Sequence, residues 1–141
     1  MRRPKRLWVV VLVNVAAGVL TLAALGYLLL KSWSIAGALI LTFAPTALTC
    51  GVLVASSAFA FLGRERSRWI ALGAALLFFG IHLVQSLWLY YQSNPALPPE
   101  SLAPSIERNS LAIVLNLWAF LSDKTDAFFD AVDPNYRSRG P

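Results

Sequence analysis

Apolar residues fall into three long runs, Leu7–Leu30, Ile35–Leu62 and Trp69–Tyr91, with short polar stretches between them. A helix rises about 1.5 Å per residue, so it needs about 20 apolar residues to cross a hydrocarbon layer about 30 Å thick. Each run exceeds that length, and each predicts a membrane-crossing helix over about 7–30, 35–62 and 69–91. The connectors Lys31–Ser34 and Gly63–Arg68 are too short to hold a domain, which makes consecutive helices antiparallel neighbours. Pro45 falls inside the second run. In lipid a proline kinks a helix rather than ending it when nearby hydroxyls can satisfy the freed backbone groups, and Thr42, Thr46 and Thr49 are at hand.

Beyond the third run the pattern changes. Residues 92–105 carry Pro95, Pro98, Pro99 and Pro104. Prolines at that density predict an extended, Pro-rich external loop. A fourth helix is expected over about 106–122, but its apolar part, Ser110–Ser122, is short and is interrupted by Asn116. Long side chains at its ends (Glu107, Arg108 and Lys124, with Asp123) can snorkel to water and let a short helix span. Residues 123–141 read as a cytoplasmic tail, with one or two helical turns dipping Phe128 and Phe129 into the interface before Asp133-Pro134 ends them.

The charge distribution favours the fourth crossing. With a cytoplasmic N-terminus and four crossings, Arg2, Arg3, Lys5, Arg6, Arg64, Arg66, Arg68, Lys124, Arg137 and Arg139 lie inside. Only Lys31 and Arg108, of 12 basic residues, lie outside. A three-span arrangement moves the three basic residues of the tail outside and weakens the asymmetry. The excess of Lys and Arg on cytoplasmic loops therefore predicts four spans with both termini cytoplasmic. Aromatic residues agree. Trp8 and Trp69 fall at one interface, Tyr27, Trp33, Trp88, Tyr90 and Tyr91 at the other, and Trp118 and Phe120 near the inner boundary of the fourth helix.

The expected fold is thus all-α, a single integral membrane bundle of four transmembrane helices over residues 1–141, with a short fourth helix and a three-span alternative. Composition fits this. The chain is 57% hydrophobic and 13% charged, against about 25% charged for a soluble domain. Its net charge of +5 comes from residues that flank apolar runs, not from one basic face, so the expected partner is the lipid bilayer and not nucleic acid. The basic opening Met1–Arg6 imitates a signal peptide, but the apolar stretch after it outruns the 7–15 residues of a signal core. We read it as a retained first helix. The single cysteine, Cys50, lies mid-run with no partner for an intramolecular disulfide, and reads as a small packed side chain.

Few residues offer chemistry. His82 is the only histidine, and an ionisable side chain deep in a span is a functional candidate by default. Ser86 lies one turn on along the same face, and Gln85 is three residues away. The spacing would allow a Ser–His pair, but no glycine-framed serine or oxyanion motif accompanies it. Asn14 and Asn116 are embedded amides that could bond to each other, to His82 or to a partner subunit. Ala47, Gly51 and Ala55 repeat every four residues and form a small-residue ridge that would let another helix approach, within the chain or from a partner. Gly73 and Gly80 offer a weaker face on the third helix. Arg64, Arg66 and Arg68 read as topology anchors or lipid headgroup contacts. No carboxylate lies deep in a span, and no phosphate loop or zinc-ligand spacing occurs, so no enzyme, cofactor or metal is expected.

The basic start Arg2-Arg-Pro-Lys-Arg6 and the closing stretch Leu117-Trp-Ala-Phe-Leu-Ser-Asp-Lys-Thr-Asp-Ala-Phe-Phe129 together resemble a loose class of small bacterial four-helix membrane proteins of unknown function. The likeness spans the whole chain. It implies the fourth span and an inner-membrane location, and carries no activity with it. The function expected is that of a small non-enzymatic membrane protein, an accessory or interaction subunit of a membrane assembly or a self-associating homo-oligomer. The alternative is a small oligomeric transporter or channel with a polar path around His82, Asn14 and Asn116.

Overall fold

A computed structural model describes residues 4–31, 36–92 and 99–132. The described residues form five helices and no strand: α1 (Lys5–Lys31), α2 (Ala36–Phe61), α3 (Glu65–Tyr91), α4 (Pro99–Phe120) and α5 (Asp123–Val132). The described residues are all-α, as the long apolar runs predict, and α1, α2 and α3 are long and apolar enough to cross a membrane. Their boundaries sit within a few residues of the apolar runs because in lipid every backbone group must be bonded within its own helix. Hydroxyls along the spans obey the same constraint. Thr21 donates to the Ala17 carbonyl, Thr49 to that of Pro45 and Ser56 to that of Val52, at 2.6–2.8 Å.

Aromatic side chains mark two levels. Trp8 and Trp69 are exposed near the end where α5 lies, and Tyr27 and Trp88 near the opposite end. Trp8 precedes Tyr27 by 19 residues, as Trp69 precedes Trp88, a rise of about 28 Å in each helix. That matches a hydrocarbon layer of about 30 Å. Trp118 is exposed at the same level as Trp8, and the Arg6 guanidinium lies 4.1 Å from the centre of its ring. Trp33 falls outside the described residues, as does residue 133 onward in the tail.

Two boundaries differ from the sequence expectation. The turn between α2 and α3 is shorter than Gly63–Arg68, because α3 already begins at Glu65. Gly63 makes the turn at φ +88°, a conformation that costs a residue with a Cβ but not glycine. Helix α4 starts at Pro99, about seven residues before the expected 106, which shortens the Pro-rich loop. Proline at the first helical position loses no bond, since that N–H has no intrahelical acceptor. Pro104, one turn in, frees a single carbonyl near the helix end, where water can reach it.

Helices α1, α2, α3 and α4 pack in that order, each against the next, and α4 closes back onto α1 along only part of its length. α4 runs antiparallel to α3, with Ser86 opposite Ser105 near one end and Arg68 opposite Phe120 near the other. Helices α1 and α2 approach closely at Gly18. A Cβ there would stand 2.6 Å from Val54 Cγ2 and 3.3 Å from the Cys50 carbonyl oxygen.

The interior has two apolar layers. One joins Leu7 and Val10 of α1 to Ala71 of α3, Phe120 of α4, and Phe128 and Phe129 of α5. The other joins Leu53 and Cys50 of α2 to Phe78 and Phe79 of α3 and Ala112 of α4. Phe128 and Phe129, expected to dip into the membrane interface, instead cap the bundle from within.

Candidate functional site

Three polar features interrupt this apolar interior. The first lies between the two layers, where α1, α2 and α4 each contribute one fully buried side chain: Asn14, Ser57 and Asn116. Asn14 Nδ2 donates to Asn116 Oδ1 at 2.8 Å, and Asn116 Nδ2 returns a bond to Asn14 Oδ1 at 3.1 Å. The remaining hydrogen on Asn14 Nδ2 goes to Ser57 Oγ at 3.3 Å, and that on Asn116 Nδ2 to the Ala112 carbonyl at 2.8 Å. All four amide hydrogens are used, which is the condition for burying two amides without a net penalty. The pairing joins residues 102 apart in sequence and draws α1 against α4. Of the partners open to the two amides in the sequence, the structure selects each other. Neither amide bonds to His82, the other partner within the chain that the sequence left open.

The second feature holds the end of the bundle shut. Arg68 belongs to the first turn of α3, and its side chain is turned inward, almost fully buried. Its Nε donates to the Phe120 carbonyl at 2.8 Å, and its terminal nitrogens reach the same carbonyl and the Asp126 carboxylate. Its guanidinium lies 5.0 Å from the Trp69 ring centre and 5.5 Å from that of Phe129. The Thr125 hydroxyl donates to the Ala119 carbonyl at 2.7 Å. The last carbonyls of α4 are thus capped by side chains from α3 and α5, which meets the need of a buried helix end. Arg64 and Arg66, expected with Arg68 at the headgroups, are exposed, and Arg64 lies over the Phe59 ring. A charge with five donors and a planar face suits an interior position that lysine could not fill.

The third feature is a crevice between α1, α3 and α4. α1 and α4 meet through the Asn14–Asn116 pair and the Arg6–Trp118 stack, both toward the α5 end. Beyond that pair they diverge and leave an open space of about 460 Å³. Its walls are apolar, with Ala17 and Leu20 from α1, Phe78 and Phe79 from α3, and Leu111 and Leu115 from α4. Thr21, His82, Asn109 and Arg108 supply the polar groups. The exposure of Leu20, Leu111 and Arg108 means the crevice opens to the bilayer side.

His82 lines this crevice and also a smaller space of about 220 Å³ between α2 and α3 near Pro45 and Thr49. Its Nδ1 donates to the Phe78 carbonyl at 2.7 Å, and its ring tilts against that of Phe78 at 4.6 Å between centres. Ser86 donates to the His82 backbone carbonyl at 2.8 Å and meets Ser105 Oγ at 3.1 Å, and Asn109 Nδ2 donates to Ser105 at 3.4 Å. The serine hydroxyl therefore belongs to a polar seam between α3 and α4, and no hydrogen bond joins it to the imidazole.

The small-residue ridge lies elsewhere. Ala47 is partly buried, while Gly51 and Ala55 are exposed on the outer face of α2. A Cβ at Gly51, Gly73 or Gly80 would meet nothing within 4 Å. A groove of about 350 Å³ runs beside them between α2 and α3, bounded by Leu48, Val52, Ile70 and Leu77, with Gly73 in its lining. Sequence reasoning missed Ser57, Ser105, Asn109 and the inward turn of Arg68. Part of the signal was present: Ser105, Asn109, Ala112, Asn116 and Ala119 recur at spacings of three and four, one face of a helix that starts at Pro99. No protein-family model, curated protein or solved structure matches this chain.

Proposed function

We propose that this chain is a small non-enzymatic membrane protein that works by lateral association in the bilayer, as an accessory or interaction subunit. The observation that carries the reading is the outward α2–α3 face. Gly51 and Ala55 are exposed, and Gly51 and Gly73 have nothing within 4 Å of where a Cβ would sit. In lipid, helices associate through close backbone approach at small residues, because apolar area gains nothing by leaving an apolar solvent. The fold spends a glycine inside the bundle, at Gly18, and keeps this second set free. A transport path through His82, Asn14 and Asn116 has less support, since the two amides seal each other and His82 bonds to its own helix. The basic residues Arg6, Arg64, Arg66 and Lys124 gather at the α5 end, which supports a bacterial inner-membrane protein with that end and both termini cytoplasmic and α4 as the fourth crossing.

The test is mild-detergent purification of the tagged full chain from its native membrane, with the stoichiometry of what co-elutes. A defined partner or a homo-oligomer that is lost on Gly51→Leu or Gly73→Leu, with helical content unchanged, supports the reading. A monomer with no companion, unaffected by either change, refutes it. Cysteine-accessibility labelling from the two sides of the membrane at Lys5, Lys31 and Lys124 positions tests the orientation.

A further inference from the structure

We propose that the crevice between α1, α3 and α4 is a binding site for one anionic phospholipid, with an acyl chain lying among its apolar walls and the phosphate on Arg108. This site is separate from the α2–α3 face and does not depend on it.

Depth is the first argument. Ser86 faces Ser105 across α3 and α4 at 3.1 Å, which fixes their register. Trp88 stands two residues above Ser86, and Arg108 three residues below Ser105, so Arg108 lies about 8 Å inside the aromatic level. A guanidinium at that depth is costly unless it is paired or can reach the interface. Arg108 is exposed and forms no ion pair with any described residue. Glu107, its neighbour in sequence, is not part of the crevice. An arginine side chain is long enough to span about that distance and meet a phosphate at headgroup level, and its fork of donors matches phosphate oxygens two at a time.

Shape is the second argument. The crevice is closed at its deep end, where the Asn14–Asn116 pair pulls α1 and α4 together, and open toward lipid along Leu20 and Leu111. A space of about 460 Å³ lined mainly by apolar side chains is filled by hydrocarbon in a bilayer. The polar groups among its lining residues are few: Arg108 and Asn109 on α4, and His82 and Thr21 on the facing helices. An acyl chain below and an anion above fit that distribution. A soluble anion would leave the apolar part empty, and a zwitterionic lipid would bring a second cation beside Arg108 along with its phosphate.

Binding is read by native mass spectrometry of the full chain in mild detergent, titrated with phosphatidylglycerol or phosphatidylcholine of equal chain length. Phosphatidylglycerol is expected to bind about tenfold or more tightly than phosphatidylcholine, the weight of a charge-assisted pair. Arg108→Gln should bring the two lipids level, and Arg108→Lys should keep part of the preference. Ala17→Phe, which fills the crevice and leaves the charge, should lose both lipids while circular dichroism stays native. Inorganic phosphate at millimolar concentration should displace neither. The proposal is overturned if Arg108→Gln retains the wild-type preference, if Ala17→Phe binds as before, or if phosphate alone competes. It is overturned equally if the site is held by an acidic partner helix that co-purifies and blocks lipid.

Discussion

Replacing Asn116 with alanine offers the sharpest test of how the bundle is held. The change deletes both amide–amide bonds to Asn14 and the bond to the Ala112 carbonyl. It leaves Asn14 with Ser57 as its remaining partner and its carbonyl oxygen with no donor. Side-chain hydrogen bonds between membrane helices average about 0.6 kcal/mol and reach about 1.7 kcal/mol. Two such bonds give about 1–3 kcal/mol, and the buried orphan oxygen pushes the value toward the upper end. The assay is reversible SDS titration in mixed micelles, followed by circular dichroism and tryptophan fluorescence. A double-mutant cycle with Asn14→Ala isolates the pair. If the amides bond to each other, the double variant loses less than the sum of the singles, with a coupling of about 1–2 kcal/mol. A coupling below about 0.3 kcal/mol, with both singles destabilised, would refute the pairing and the α1–α4 closure built on it. Replacing both with leucine should recover much of the loss, because no polar group is then stranded.

Further outcomes follow from the same contacts. Arg68→Leu strands the Phe120 carbonyl and releases the half-exposed Asp126 from its partner, and should cost about 1–3 kcal/mol; limited proteolysis should then cut at α5 while α1–α4 stay protected. Phe129→Ala empties a fully buried site between α1, α3 and α5, with an expected loss of about 3 kcal/mol in the same titration. Gly18→Leu drives a side chain into Val54 and the backbone of α2 and should destabilise by about 1–3 kcal/mol. Gly51→Ala should stabilise by up to about 1 kcal/mol, since alanine is the better helix former and nothing stands within 4 Å of the added carbon, so any loss should appear in association alone.

Much of the architecture was legible along the chain. Length and apolarity of the runs at 7–30, 35–62 and 69–91 suffice to predict three helices, because the thickness of the bilayer and the need to bond every backbone group leave one solution. The aromatic levels and the gathering of arginine at one end were legible for the same reason: depth in a membrane is read residue by residue, from transfer energies that depend on composition alone.

What the chain does not state is how each helix is rotated about its axis. In water an amphipathic stripe tells inside from outside, but a helix in lipid is apolar on both its buried and its exposed faces, so that signal is nearly absent. Only the packed structure therefore decides that Asn14 meets Asn116 across 102 residues, that Arg68 turns inward while Arg66 does not, and that Gly18 is used inside the bundle and Gly51 outside. The same holds for the start of α4. Local reading stops a helix at Pro99 and Pro104, whereas the tertiary fold gains enough from the Ser86–Ser105–Asn109 seam and the face that follows it to carry the helix through. That extension sets Arg108 at the edge of the crevice, a position that no local pattern around residue 108 contains.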